Sequence, residues 1–306
     1  MDFLSAKAFM TDSKLRFMAL NSRGFYKWMS DEDFLKKAYK INMGIELNLD
    51  HPQTYNEKLQ WLKLYDRKPL YTIMVDKHEA KKYVADIIGE EYIIPTLGVW
   101  DRFEDIDFNT LPNQFVLKCT HDSGGLVICN DKTKLDYSKA KKKINKCLKK
   151  NYFWLGREWP YKDVTPRIIA EKYMEDPSAK QLKDYKFFTF SGVAKAMFIA
   201  SDRQKSGEET KFDFFDMDFN HLPFTNGHPN ATYVPSKPQS FNEMKHLAEE
   251  LSKNIPHLRV DFYEVNGKVY FGELTFSHWS GFVPFNPQKW DEIFGSWVQL
   301  PDMATS

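Results

Sequence analysis

Apolar residues recur at helical spacing through the first part of the chain. A capping box at Thr54-Tyr-Asn-Glu57 marks one helix start, because the threonine hydroxyl and the glutamate carboxylate satisfy free backbone amides. A second start signal, Asp76-Lys-His-Glu79, precedes an apolar stretch that Gly89 ends. The pattern predicts a helical N-terminal region.

After Pro95 the pattern becomes that of strands. Runs of Val, Ile, Phe and Tyr separated by small polar turns predict strands within 114–129, 166–174, 184–199 (turning at Ser191-Gly192) and 211–219. Two helices interrupt them, a lysine-rich helix capped by Ser138 and a helix that opens with a second capping box, Ser240-Phe-Asn-Glu243. Helices followed by an antiparallel sheet predict an α+β fold.

The segment from Arg259 to Thr275 predicts a hairpin turned at Asn266-Gly267. A strict two-residue turn places Asp261 and Glu273 on opposite faces of the sheet. A three-residue loop with a left-handed Gly267 places both carboxylates on one face with Arg259 and Thr275, and leaves apolar residues for the core. We prefer the three-residue loop.

Two carboxylates on neighbouring strands repel each other unless a cation lies between them. Magnesium suits this position, because it binds one or two carboxylates together with phosphate oxygens and water. An exposed hairpin with solvated charges is the alternative. If both bind the metal, Asp261→Asn or Glu273→Gln should abolish activity, and the fold should stay intact because removing a repelling pair need not destabilise the hairpin.

A strand that carries Lys118 runs into a small polar turn at Thr120 to Gly125 and returns as a second strand. Backbone amides of such a turn can close over phosphates while the lysine supplies charge. Most Ser-Gly-Gly turns only end hairpins, and this one is neither a Walker A loop nor a dinucleotide fingerprint. Lys77 and His78 lie near the positive end of a predicted helix, which is unfavourable unless an anion lies nearby or the two side chains point into water.

Composition excludes several classes of function. The 306 residues are 42% hydrophobic, and 43 basic residues against 42 acidic ones give a net charge of +1, so nothing favours a nucleic-acid or membrane partner. An aromatic content of 16% suits either a packed core or a carbohydrate-binding surface. The three cysteines show no metal-type spacing, and no signal peptide or integral membrane segment is evident. We therefore expect a cytoplasmic protein with reduced thiols.

Several segments taken together resemble the TupA-like branch of the ATP-grasp superfamily, whose members are found among genes for surface polysaccharides. The matching segments are Tyr55 to Asp66, Asp76-Lys77, Phe115 to Lys118, Glu171 to Tyr173, Asp184 to Phe188, Arg259 to Tyr263 and Gly272 to Thr275. The resemblance extends from about residue 40 to residue 285. It implies two subdomains with mainly antiparallel sheets that clamp ATP, which we place at 111–172 and 173–306 after a helical region at 1–110.

The resemblance also implies roles for individual residues. Those that match ATP-contacting positions are Lys77 and Lys118 for the phosphates, Ser123, Gly124 and Gly125 for the mobile phosphate loop, Glu171, Lys172 and Tyr173 for the adenine hinge, and Asp184 for the ribose.

Asp261 and Glu273 match the metal ligands of the superfamily. Thr275 stands where many members carry Asn, and a hydroxyl is a weaker magnesium ligand than an amide carbonyl. Arg259 and Arg203 are candidates for stabilising charge on the transferred phosphoryl group.

The implied activity is an ATP- and Mg²⁺-dependent ligation of a carboxylate to an amine through an acyl phosphate. The implied substrates are a uronic-acid-containing saccharide and an amino acid or simple amine. The candidates for the acceptor pocket are Ser277, His278 and Trp279, which follow the metal motif, and the segment Trp154 to Trp159. Aromatic packing around the sheet explains these residues at least as well.

A glycosyltransferase is the alternative, since Asp216-Met-Asp218 matches an Asp-x-Asp metal motif. An inactive nucleotide-binding module would lack one of Lys118, Asp261 and Glu273, all of which are present.

Overall fold

The computed structural model describes residues 11–122, 124–175, 182–201 and 209–302. The described chain begins with helices, as the apolar pattern predicts. Their bounds are α1 Ser13–Ser22, α2 Asp31–Met43, α3 Tyr55–Tyr65, α4 Pro69–Val75 and α5 Glu79–Ile88. The capping box at the start of α3 is confirmed, with reciprocal bonds between Thr54 and Glu57.

A four-stranded antiparallel sheet follows, in the order β1-β4-β2-β3. Its strands are β1 Thr96–Trp100, β2 Phe115–Cys119, β3 Leu126–Cys129 and β4 Ile168–Lys172. The lysine-rich helix α6, Tyr137–Leu148, covers this sheet through Ala140 and Ile144, and a short helix α7, Phe153–Gly156, comes after it. Because β1 pairs with β4, this sheet includes a strand from before residue 111.

A five-stranded antiparallel sheet forms the centre of the protein, in the order β10-β9-β5-β6-β7. Its strands are β5 Asp184–Phe190, β6 Val193–Ser201, β7 Lys211–Phe215, β9 Leu258–Val265 and β10 Lys268–Thr275. The turn between β5 and β6 lies at Ser191-Gly192, as predicted, and both residues have positive φ. A two-stranded ladder joins β8, Thr225–Asn226, to β11, Phe285–Asn286.

Both faces of the five-stranded sheet are covered, so consecutive apolar residues of a strand contribute to cores on opposite faces. Phe187 contributes to a core with α4, α5 and α8, where α8 is Phe241–Leu251. Its neighbour Phe188 contributes to a second core with α3 and α9, where α9 is Lys289–Trp297. The α+β prediction is confirmed.

Two predicted helix caps differ from the structure: one lies at another residue, and the other, Ser240, precedes its helix as predicted but lacks the capping bond. The residue that caps α6 is Asp136, whose carboxylate accepts from the Lys139 amide, and Ser138 lies inside the helix. The side chain of Ser240 makes no capping bond to α8.

All three cysteines, Cys119, Cys129 and Cys147, are buried free thiols. In the described part of the chain, no helix combines the length and the apolar character needed to cross a bilayer.

Candidate active site

The hairpin β9–β10 brings Asp261 and Glu273 directly opposite each other. The predicted three-residue loop is wrong, because Val265 pairs with Lys268 across a two-residue turn. The extra residue lies within the strand instead, as a bulge at Gly272 between the Phe262–Phe271 pair and the carboxylate pair. A side chain at Gly272 would place its Cβ 3.0 Å from the Asp261 carbonyl oxygen, so the bulge favours glycine.

Arg259 lies between the two carboxylates. Its Nε and Nη2 donate to the two oxygens of Asp261, each over 2.7 Å. The same Nη2 donates to Glu273 Oε1 over 3.2 Å and to Thr275 Oγ1 over 3.0 Å. The four residues therefore share one face, as predicted, but the cation that separates the carboxylates here is a guanidinium group.

Lys186 supplies a second cation, which the sequence analysis missed. It lies on β5 directly opposite Asp261, and its ammonium group donates to Asp261 Oδ2. Asp184 on the same strand has an oxygen 3.9 Å from this ammonium group. The one available signal was a charged residue in a strand of aromatic residues, all of which are buried.

The position of Arg259 is fixed from behind by a buried histidine. Arg259 Nη1 lies 2.8 Å from His278 Nδ1, and His278 Nε2 lies 3.0 Å from Asn226 Oδ1. Burial lowers the pKa of His278 well below its usual value, and the charge of Arg259 lowers it further. The imidazole is therefore neutral, so Nδ1 accepts from Arg259 and Nε2 donates to Asn226.

Glu273 stays ionised although its carboxylate is partly withdrawn from water. Burial pushes its pKa up, but the charges of Lys186, Lys77 and Arg259 outweigh burial and lower the pKa to about 2. The charge of Lys77 therefore acts on the hairpin from outside the five-stranded sheet.

Lys77 joins the hairpin to the predicted phosphate loop. Its amide donates to the Thr120 carbonyl over 3.0 Å, and its ammonium group donates to the Asp122 carbonyl over 2.7 Å. Within the loop, the Gly125 amide donates to Asp122 Oδ1 over 2.9 Å. A Cβ at residue 125 would lie 2.4 Å from the sulfur of Cys119, whereas Gly124 has ordinary contacts only. Two predicted residues, Ser123 of this loop and Arg203, lie outside the described residues.

Lys118 and Glu171 form an ion pair on the four-stranded sheet. Glu171 accepts from Lys118 and from Lys81, each over 2.6 Å. Burial alone would raise the pKa of Glu171, but the two lysines lower it to about 2. Lys81, on α5, was not predicted, and its helical position gave no signal in the sequence.

The remaining hinge residues lie where β4 ends. The Lys172 amide donates to the Pro95 carbonyl over 3.0 Å, and the half-buried Tyr173 follows directly. The part of Glu171, Lys172 and Tyr173 in reading adenine stays a prediction, as does that of Asp184 in holding the ribose.

A left-handed turn follows the metal motif. Trp279, Ser280 and Gly281 have φ of 50°, 55° and 64°, and the two that carry a β-carbon each cost about 1–3 kcal/mol. The buried Lys63 donates to the Ser280 carbonyl over 2.7 Å and to its hydroxyl over 2.9 Å. Gln60 donates to the Gly281 carbonyl over 2.9 Å. These bonds from α3 offset the backbone strain.

Asp216 of the alternative Asp-x-Asp motif is engaged in a tight turn after β7. Its Oδ1 accepts from the amides of Asp218 and Asn220, over 3.0 and 2.8 Å, and its Oδ2 accepts from the Asn220 side chain over 2.9 Å. This bonding is that of a turn-forming aspartate. It gives no support to a metal site at residues 216–218.

Comparison with known proteins identifies the family. A model of the TupA-like ATPgrasp family matches residues 57–299, which is most of the chain. The chain belongs to this family. The predictions of the family and of the ATP-grasp fold are thereby confirmed. No curated protein matches the chain significantly.

Solved structures of ligases show distant similarity to this TupA-like ATP-grasp chain. A D-alanine–D-alanine ligase from Helicobacter pylori is 11% identical, with 82% of this chain and 68% of that chain covered and a TM-score of 0.44. The corresponding ligase from Bacillus anthracis, complexed with ATP, is 16% identical, with 67% and 54% covered and a TM-score of 0.40. An L-amino acid ligase from Bacillus licheniformis is 10% identical, with 81% and 55% covered and a TM-score of 0.45. The chain thus spans about half to two thirds of the length of these ligases.

Proposed function

We propose that this protein is an ATP-dependent ligase that joins a carboxylate to an amine through an acyl phosphate. The observation that carries the proposal is the arrangement around Arg259, in which two facing carboxylates and two buried cations share one face of the hairpin, and the charge of Lys77 acts on Glu273. Phosphoryl transfer needs little covalent chemistry from a protein and depends on positioning and charge. Membership of the TupA-like ATP-grasp family supports the same activity.

The donor set on the hairpin fits Mg²⁺. Glu273 is 39% exposed and meets Arg259 at one oxygen, so it offers the more accessible carboxylate. Asp261 and the Thr275 hydroxyl lie on the same face but already accept from Arg259, so Mg²⁺ would share them with this cation. Among the described residues, no three His, Cys, Asp or Glu side chains are grouped so that they could hold a metal by themselves. Mg²⁺ would therefore take its remaining ligands from phosphate oxygens and water, as is usual for this ion. When bound, it would neutralise charge on the phosphates.

The first step transfers a phosphoryl group. A substrate carboxylate oxygen bonds to the γ-phosphorus of ATP, the bond from that phosphorus to the β–γ bridging oxygen breaks, and ADP leaves. Arg259 and Lys186 face the transferred group with fixed positive charge, and His278 holds the guanidinium plane in place. These charges stabilise the transition state without reorganising during the reaction.

The second step forms the amide. The amine nitrogen bonds to the acyl carbon, the bond from that carbon to the phosphate oxygen breaks, phosphate leaves, and the amine loses a proton. Arg259 stabilises negative charge on the acyl phosphate and on the departing phosphate. The part of the protein is to hold the two substrates together and to exclude water.

We further propose that the carboxylate is that of a uronic acid in a surface polysaccharide or its precursor, and that the amine is an amino acid or simple amine. This choice rests on the family. We place the reaction in the cytoplasm, where ATP is made and buried thiols stay reduced. We retain the division at 1–110, 111–172 and 173–306 as a proposal, with β1 added to the small sheet.

The test is ligand-dependent stability combined with ADP release. Mg²⁺-ATP at about 100 times its dissociation constant should raise the free energy of unfolding by about 2.7 kcal/mol, and a chelator should reduce this gain. ADP release should then depend on a uronic acid and an amine together. Glu273→Gln should abolish release, whereas Asp216→Asn, which changes only the turn after β7, should leave it normal.

The opposite result would favour the transferase. Stabilisation by uridine or guanosine diphosphate sugars but not by adenine nucleotides, with Asp216→Asn inactive and Glu273→Gln active, would contradict the ligase proposal.

A further inference from the structure

A large aromatic side chain lies at the surface beside the buried charged cluster. Trp279 is 40% exposed, and it directly follows His278, which is only 3% exposed. The two rings lie 5.7 Å apart between centroids, and the His278 ring contacts Arg259 through Nδ1. Trp279 is therefore one ring away from the guanidinium group.

Neighbouring residues fix the position of this indole. Its ring stacks on Phe212 at 6.0 Å with an interplanar angle of 25°, and His228 lies 5.6 Å away. A Cβ at Gly227 would lie 2.6 Å from the indole Nε1, so only glycine at residue 227 leaves the ring where it is. One face of the indole thus packs on Phe212, and Gly227 lies beside its Nε1 edge.

The backbone at this tryptophan is held in a costly conformation. Trp279 and Ser280 are both left-handed, and the bonds from Lys63 to Ser280 maintain the turn. Core packing does not account for the strain, because the side chain that it positions is substantially exposed. Strained backbone of this kind is a feature of binding sites.

We propose that Trp279 is a stacking platform for a pyranose ring of the acceptor saccharide. The proposal rests on the proposed function, and it adds the place where the sugar binds. The C–H face of a pyranose ring packs on an aromatic ring, while the hydroxyl groups around its rim stay hydrated or bond to polar neighbours such as His228. The carboxylate that reacts then belongs to the stacked sugar or to the sugar next to it.

An adenine ring would also stack on an indole, but the predicted adenine hinge lies at Glu171 to Tyr173 on the other sheet. The platform should therefore affect saccharide binding and leave nucleotide binding unchanged. This separation makes the proposal testable.

The experiment measures saccharide binding to the full chain with Mg²⁺-ADP present. The probes are a hyaluronan tetrasaccharide, a galacturonate tetramer and the neutral maltotetraose. Calorimetry or saturation-transfer NMR measures their binding. Trp279→Ala should weaken binding of at least one probe tenfold or more, and Trp279→Phe should give an intermediate affinity. Trp28→Ala is the matched control, because Trp28 is 78% exposed and outside the site, and its affinities should equal those of the wild type.

A second variant keeps the tryptophan and displaces it. Gly227→Ala puts a methyl group against the indole, so it should weaken the same probe, with circular dichroism as the check on folding. Binding of maltotetraose alone, lost in Trp279→Ala, would support the platform and count against a uronic acid.

Two results would overturn the platform: no probe binds the wild type, or Trp279→Ala binds as well as the wild type does. Mg²⁺-ATP affinity, measured on the same proteins, decides the ligase proposal separately.

Discussion

Replacing Asp261 by asparagine tests the charge arrangement at the centre of the site. Asp261 is 2% exposed, and it accepts from Arg259 through both oxygens and from Lys186. Asparagine keeps the shape but loses the charge, so two buried cations would face each other without their common partner. The sequence predicts that this variant leaves the fold intact, but the structure predicts that it lowers the stability of the fold.

The magnitude follows from burial. Removing one partner of a buried ion pair costs about 3–5 kcal/mol, because an uncompensated charge remains. The matched variant is Glu273→Gln, whose side chain is 39% exposed and accepts from Arg259 over a single 3.2 Å bond. For such a partly exposed contact the cost is about 0–1 kcal/mol. Asp261→Asn should be clearly the less stable of the two.

Thermal unfolding without nucleotide or metal measures the difference. For a chain of this size each 1 kcal/mol shifts the melting temperature by roughly 2 °C, so we expect a fall of roughly 6–10 °C for Asp261→Asn. The double variant Asp261→Asn, Lys186→Met should recover part of the loss, since it removes one of the two stranded charges. Equal stabilities of Asp261→Asn and Glu273→Gln would refute the reasoning.

Two further predictions concern the four-stranded sheet. Glu171 has a pKa of about 2 in the folded protein against 4.5 unpaired, so it contributes about 3 kcal/mol of stability above pH 4.5 that is lost as the pH falls toward 2. Unfolding free energies of the wild type and Glu171→Gln should therefore converge between pH 7 and pH 3, and parallel curves would contradict the assignment. Lys118→Ala should weaken Mg²⁺-ADP binding at least tenfold by calorimetry, about 1.4 kcal/mol. The exposed Lys82→Ala should not, and equal affinities would place the phosphates elsewhere.

The hairpin shows why a correct face can come from a wrong register. Asp261 and Glu273 share a face whenever one residue is added to a regular two-residue hairpin. The turn residues predict this extra residue at the turn, whereas in the structure it lies at Gly272. Turn residues carry local signals, but a bulge depends on how the strand fits its neighbours, which no short stretch of sequence reveals.

The caps show the same limit on a smaller scale. The Thr54 box forms as predicted, but in the Ser240 box both partners are bonded to residues far along the chain. The Ser240 amide donates to Glu264, and Glu243 accepts from the Tyr92 hydroxyl. Tertiary contacts of this kind override a local motif.

The missed cations have a common explanation. Lys186 lies in the segment Asp184 to Phe188, which matches the family only as a whole. Lys81 lies on a helix, where lysine is ordinary. Each gains its importance from a carboxylate on a different element of structure, Asp261 on β9 for Lys186 and Glu171 on β4 for Lys81. Local motifs therefore identified the carboxylates Asp261 and Glu171, and only the folded structure identified Lys186 and Lys81 as their partners.

The neutral state of His278 has a consequence for kinetics. Burial and Arg259 keep this imidazole uncharged, the same neighbour helps to hold Glu273 ionised, and pairing with Asp261 raises the pKa of Arg259 itself despite burial. Near neutral pH none of these three groups changes its charge. Burial lowers the pKa of Lys63, which holds the turn after β10, to about 7. In a ligase built this way, a rate that climbs through neutral pH therefore reports either Lys63 or the attacking amine as it loses its proton, and a change of amine substrate separates the two.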